Sequence, residues 1–170
     1  MSLNIKCKED CLLFLKNIPA KSARVVIADF QYRGILDKMN YGNEKTGKQK
    51  DRAALPQMAE EYIVDCINQA GIVLKPSGYL FLWVDKLHLL NLNRLVGALK
   101  CDLEIVSLIT WDKGRIGMGY RARCQSEYLV VLQRPPILAK KTWTRKNIPD
   151  VWTEKLPKNK IHPHQKPEGL

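Results

Sequence analysis

Apolar positions fall into short runs set apart by polar, glycine- and proline-marked stretches, and the period of each run predicts its element. Residues 3–7 can form a short strand. Glu9 and Asp10 then precede Leu12, Leu13, Leu15 and Ile18, a spacing that predicts a short helix closed by Pro19. An acid at that helix start complements the positive end of its dipole. Residues 25–29, Val-Val-Ile-Ala-Asp, form an unbroken apolar run ending on an acid, the pattern of a buried parallel strand. Over 55–74, Met58, Tyr62, Ile63, Cys66, Ile67 and Ala70 recur at helical spacing and predict a core-facing helix, with no functional reading needed. Residues 75–78, Lys-Pro-Ser-Gly, make a turn, and 79–84 form a second apolar strand ending at Asp85. A crossover helix over 86–99 and strands over 103–111 and 127–132 follow, the last ended by Pro135 and Pro136. Two strands without an intervening helix pair as a hairpin. The expected architecture is one α/β domain over 1–170, its sheet mostly parallel with an antiparallel edge hairpin.

Ligands of open α/β sheets bind outside the carboxyl ends of the strands. The corner at 24–34, Arg-Val-Val-Ile-Ala-Asp-Phe-Gln-Tyr-Arg-Gly, delivers an acceptor, Asp29, and a stacking surface, Tyr32, to such an end. It is the expected active site. Residues 34–54 carry Lys45, Lys48, Lys50 and Arg52 among glycines and asparagines, and read either as a mobile basic loop closing over nucleic acid or as a solvated surface. Residues 112–125 form a second mobile basic loop, in which Arg115, Arg121 and Arg123 suit phosphates and Tyr120 suits a base. The other reading of its glycines is a hairpin turn alone. The segment 137–161 is basic and irregular, with Trp143 and Trp152, and His162-Pro163-His164-Gln165-Lys166-Pro167 is a proline-bounded polar stretch. For Asp10, capping and ligand binding both stand open.

The 170 residues suffice for one sizeable core, and a composition 45% hydrophobic and 26% charged excludes wholesale disorder. The net charge of +11 favours a polyanionic partner. Cys7, Cys11, Cys66, Cys101 and Cys124 contain no Cys-x-x-Cys pair, so neither a disulfide scaffold nor a zinc ribbon is suggested. His162 and His164 without a matching set of thiolates or carboxylates do not predict a metal. With no membrane-length apolar run and no secretory leader pattern, a cytoplasmic protein is expected, without a membrane partner.

The order Asp-x-x-Tyr after a strand, Gly-Tyr-Leu-Phe-Leu-Trp as the next strand, a hairpin, then His-Pro-His-Gln-Lys-Pro resembles the amino-group DNA methyltransferases whose catalytic motif precedes their cofactor motif. Residues 29–34, Asp-Phe-Gln-Tyr-Arg-Gly, are similar to the subgroup with Asp-Pro-Gln-Tyr-Arg-Gly, with Phe30 in place of the proline. The resemblance implies a Rossmann-like fold that uses S-adenosylmethionine and modifies an exocyclic amino group of double-stranded DNA, with the target base flipped out. It also implies a bacterial or phage origin and is compatible with a homodimer. Asp29, the Phe30 carbonyl and Tyr32 would be catalytic; Asp10, Asp29, Gln165, Lys166 and Pro167 would hold the cofactor; Arg33, Lys45, Lys48, Arg115, Tyr120, Arg121 and Arg123 would contact DNA. Asp rather than Ser opening the corner points to adenine N6 over cytosine N4, by family analogy. In the family a helix, a strand and a glycine-rich turn follow the Lys-Pro signature, so this chain, ending at Leu170, is expected to be C-terminally incomplete. The alternative is a truncated or degenerate DNA-binding protein without catalytic activity; RNA as the substrate is not distinguished.

Overall fold

A computed structural model describes residues 7–30, 58–117, 122–140 and 143–154. Helix α1, Cys11–Asn17, starts where Asp10 Oδ1 accepts from the Leu12 and Leu13 amides, both at 3.1 Å. Those are two of the donors that a helix start leaves without an intrahelical partner. Strand β1 is Ala23–Asp29, and helix α2 is Glu60–Val73. The buried residues of α2, Ile63, Cys66, Ile67, Ala70, Gly71 and Val73, repeat at three and four and form one stripe against the sheet. At Gly71 a β-carbon would stand 2.8 Å from Cys101 Sγ, so glycine lets the helix approach the turn before the next strand.

Strand β2, Leu74–Val84, pairs parallel with β1. The partner of Ala23 is Leu74 but that of Val25 is Tyr79, so 75–78 bulge out of the ladder. The turn expected at 75–78 is therefore a bulge inside the strand, with Ser77 at φ 60°. Gly78 is required there, because a β-carbon would lie 2.9 Å from the Lys75 carbonyl oxygen and 3.0 Å from that of Arg24.

The single helix expected over 86–99 is two short ones, α3 at Lys86–Leu90 and α4 at Leu92–Gly97. The break falls at Asn91, whose carbonyl accepts from the Arg94 and Leu95 amides and starts a new helix. Asparagine favours helix ends over interiors, and the leucines on either side conceal that signal.

Strands β3, Glu104–Asp112, and β4, Ser126–Gln133, form the predicted antiparallel hairpin. Strand β5, Val151–Thr153, lies within the basic segment expected to be irregular and pairs parallel with β3. The order is β1-β2-β4-β3-β5, an α/β Rossmann-like arrangement whose described sheet is mixed, with two parallel and two antiparallel pairings. Because β5 adds outside β3, the hairpin stands one strand in from the edge. No described helix is long and apolar enough to cross a membrane.

Both faces of the central strands β2 and β4 are packed, whereas β1, expected to be a buried strand, lies at the end of the described sheet and leaves Val25 and Ile27 51% and 58% exposed. Leu80, Leu82 and Val84 of β2 point to the core under α2, while Tyr79 and Trp83 join Ile109, Trp111, Leu129 and Val131 on the other face. This two-sided burial is why β2 and β4 read as unbroken apolar runs. At the amino edge, Arg134 Nη1 donates to the carbonyls of Gly71 (2.8 Å), Ile72 (3.1 Å) and Leu74 (2.6 Å), closing the negative end of α2 with a cation. Arg134→Met is expected to lower stability by about 2 kcal/mol in urea denaturation, the scale of a charge-assisted hydrogen-bond set.

Candidate functional site

Strands β1, β2 and β3 run in one direction, so their carboxyl ends share an edge of the sheet. The register places Asp29 beside Trp83, Trp83 beside Leu129 and Leu129 beside Ile109. Asp29 closes β1, Asp85 follows β2 and Asp112 closes β3, giving that edge three acids. Asp29 is exposed, whereas Phe30 is half-buried and packs against the core under α2 together with Val26 and Ala28. The Phe30 ring thus packs against the core below the corner.

Asp10 belongs to the same region. Helix α2 precedes β2 and runs against it, so its first turn lies toward the carboxyl edge, and α1 packs along it. The Tyr62 hydroxyl donates to Asp10 Oδ2 at 2.5 Å, accepts from the Leu12 amide at 3.4 Å and lies 3.6 Å from Cys11 Sγ. Cys11 Sγ is 3.3 Å from Cys66 Sγ. The Tyr62 hydrogen bond, followed by the Leu13 and Leu12 amides and Lys16, holds the Asp10 carboxyl below its ordinary range. A depressed carboxyl pKa favours the folded state above the unfolded value of 3.8, and the contribution is lost as pH falls through the lowered value. Burial first, and then the Asp10 hydrogen bond, push the Tyr62 phenol up. Burial, with Cys11 beside it, pushes the Cys66 thiol up to about 12.

The described part of the basic loop at 112–125 continues the hairpin. The Lys113 amide donates to the Gln125 carbonyl at 3.0 Å and the Gly117 amide to that of Cys124 at 2.8 Å. Asp112 Oδ1 accepts from the Gly114 amide (2.8 Å) and Gln125 Nε2 (2.9 Å), and these contacts lower its carboxyl pKa. Glycine at 117 is needed because a β-carbon would meet the Cys124 carbonyl oxygen at 2.5 Å. Arg115 and Arg123 are both exposed here, and Arg123 Nε donates to the Gly117 carbonyl at 2.8 Å. The turn reading of the glycines therefore holds at the stem, which presents two of the arginines to solvent. Asp85 accepts from the His88 amide at 2.8 Å and contacts its Nδ1 at 2.9 Å, opening α3.

Tyr32, Arg33, Lys45, Lys48, Tyr120, Arg121, Gln165, Lys166 and Pro167 lie outside the described residues. Among the described residues, no group of three His, Cys, Asp or Glu side chains could hold a metal ion. A cleft of about 510 Å³ opens on the other face of the sheet, lined by apolar residues such as Val25, Ile27, Phe81 and Trp143, away from Asp10. Sequence reasoning assigned Tyr62 to the core and missed its hydroxyl. The signal was a tyrosine at the start of an otherwise apolar stripe, since a half-buried phenol hydroxyl seeks a polar partner.

No family model matches the chain. It is 53% identical over 165 residues to the type II methyltransferase M.HhaII of Haemophilus parahaemolyticus, covering 97% of this chain and 72% of that protein. Among solved structures, a protein of Thermus thermophilus named as a DNA modification methylase, complexed with S-adenosyl-L-methionine, superposes with a TM-score of 0.53 at 14% identity, over 85% of this chain and 66% of that one. The M1.HpyAVI–SAM complex gives 0.54 at 13% identity, over 92% and 67%. The cytosine-N4-specific PvuII DNA methyltransferase gives 0.54 at 12% identity, over 89% and 57%. The chain thus spans about two thirds or less of the length of these structures, which share its fold at low identity. With more than half its residues identical to M.HhaII along nearly its whole length, the chain belongs to the amino-group DNA methyltransferase family.

Proposed function

We propose that this domain transfers a methyl group from S-adenosylmethionine to an exocyclic amino group in double-stranded DNA, adenine N6 in preference to cytosine N4. The observation that carries the reading is an exposed carboxylate, Asp29, closing β1 at the edge where Asp10 is also held. The residues suit the cofactor: Asp10 is an ionised acceptor fixed at a helix start, apt for an adenine amine, and Lys166 is a cation apt for a carboxylate. When bound, S-adenosylmethionine supplies an electrophilic methyl group on a sulfonium.

The target amine attacks poorly because its lone pair is delocalised into the base. Asp29 and the Phe30 carbonyl accept its hydrogens and favour the pyramidal, nucleophilic form, and Asp29 takes the proton released. Tyr32 stacks on the flipped base, whose extrusion costs a few kcal/mol that stacking and hydrogen bonding offset. Alignment of amine and sulfonium contributes on the order of 7–11 kcal/mol. Arg115 and Arg123 on the hairpin stem, with Arg33, Lys45, Lys48, Tyr120 and Arg121, contact phosphates and bases. Gln165, Lys166 and Pro167 border the methionine end of the cofactor. Adenine is favoured because Asp opens the corner motif; the fold alone does not choose the base, as the cytosine-N4-specific PvuII DNA methyltransferase shares it.

Tritium from labelled S-adenosylmethionine is expected in duplex DNA and, after digestion, in N6-methyl-2′-deoxyadenosine. Label in N4-methyl-2′-deoxycytidine would overturn the choice of base, and label in RNA alone the choice of substrate. Salt-dependent DNA binding without cofactor binding at millimolar concentration would replace the enzyme reading with that of a binding module.

A further inference from the structure

We propose that Tyr62 is a positioning residue that sets the Asp10 carboxylate for the adenine amine of the cofactor, and so helps the site discriminate that amine; this rests on the function proposed above. Each carboxylate oxygen can accept two hydrogen bonds. Asp10 Oδ1 uses both on the Leu12 and Leu13 amides, at 3.1 Å each. Oδ2 accepts the Tyr62 hydroxyl at 2.5 Å, so among the described residues its second acceptor position is the one left for an incoming N–H. With one oxygen fixed by the helix start and the other by Tyr62, the carboxylate plane cannot rotate, and the remaining acceptor direction is set in advance.

The hydroxyl is itself anchored. It accepts from the Leu12 amide at 3.4 Å, beside Cys11 Sγ, while Cys11 touches Cys66, which is fully buried in α2. The phenol therefore ties the acceptor to the core across 52 residues of sequence. Removing only the hydroxyl leaves the ring in place and frees the carboxylate to turn.

Calorimetric titration of the full-length protein with S-adenosylhomocysteine, and with its counterpart carrying hypoxanthine for adenine, tests this. Wild type should prefer the adenine form by roughly tenfold or more, since a carbonyl oxygen would face the carboxylate. Tyr62→Phe should weaken binding of the adenine form by about fivefold and narrow the preference to about twofold, with kcat at saturating cofactor within about twofold of wild type. In an Asp10→Asn background, Tyr62→Phe should add little, as expected for residues acting through one another. Equal weakening of both ligands by Tyr62→Phe would make the tyrosine a helix tie only and overturn the inference. The same holds if the preference survives. Wild type that binds neither ligand would overturn the proposed function itself, and the role of Tyr62 with it.

Discussion

Asp29→Ala is expected to lower kcat for methyl transfer by about 10²–10³-fold while leaving affinity for duplex DNA within about twofold. The asymmetry follows from where the acceptor works. An amine conjugated with its ring needs an acceptor only as its nitrogen pyramidalises, so the interaction strengthens in the transition state and contributes little to the bound ground state. Asp29→Asn keeps the shape and one acceptor oxygen but loses the charge, and is expected to fall between wild type and alanine. Single-turnover transfer of labelled methyl groups and fluorescence anisotropy with a duplex separate the two quantities. A variant that keeps turnover and loses DNA binding would move Asp29 from the chemistry to the interface.

The elements that build this corner were legible because their signals are local. The 79–84 run is apolar because β2 is packed on both faces, the 25–29 run packs Val26 and Ala28 under α2, and the stripe on α2 repeats at helical spacing over three turns. Asp10 announced a helix start, and it caps α1. What the sequence concealed depends on partners distant in the chain or on very short elements. Strand β5 has three residues, too few for any period, and its place beside β3 moves the hairpin inward from the edge. Asn91 divides a leucine-rich stretch that by composition alone reads as one helix. Phe30 looks like an obstacle in a tight corner until the core under α2 is seen to receive its ring. Tyr62 meets Asp10 only because α1 packs on α2, a contact that no local pattern encodes.

The far face of the sheet should prove as important to stability as the face under α2, and Trp111 is the residue that tests it. Its side chain is 1% exposed, lies edge-on to Trp83 with ring centroids 6.0 Å apart, and donates from Nε1 to the Glu154 carbonyl at 3.0 Å. Trp111→Ala removes a large ring from a packed layer, a change that costs about 3–5 kcal/mol and lowers Tm by roughly 10 °C in a chain of this size. Trp111→Phe keeps most of the packing and gives up the indole hydrogen bond, so it should cost nearer 1–2 kcal/mol. The difference between the two, read from urea unfolding, measures ring packing separately from the hydrogen bond; equal losses would mean that the tie to Glu154, rather than the aromatic layer, holds this face. Asp112, the next residue, braces Gly114 and Gln125 at the stem of the arginine loop. Loosening β3 at Trp111 should therefore weaken DNA binding in the folded alanine variant as well, whereas Asp29→Ala leaves it nearly unchanged.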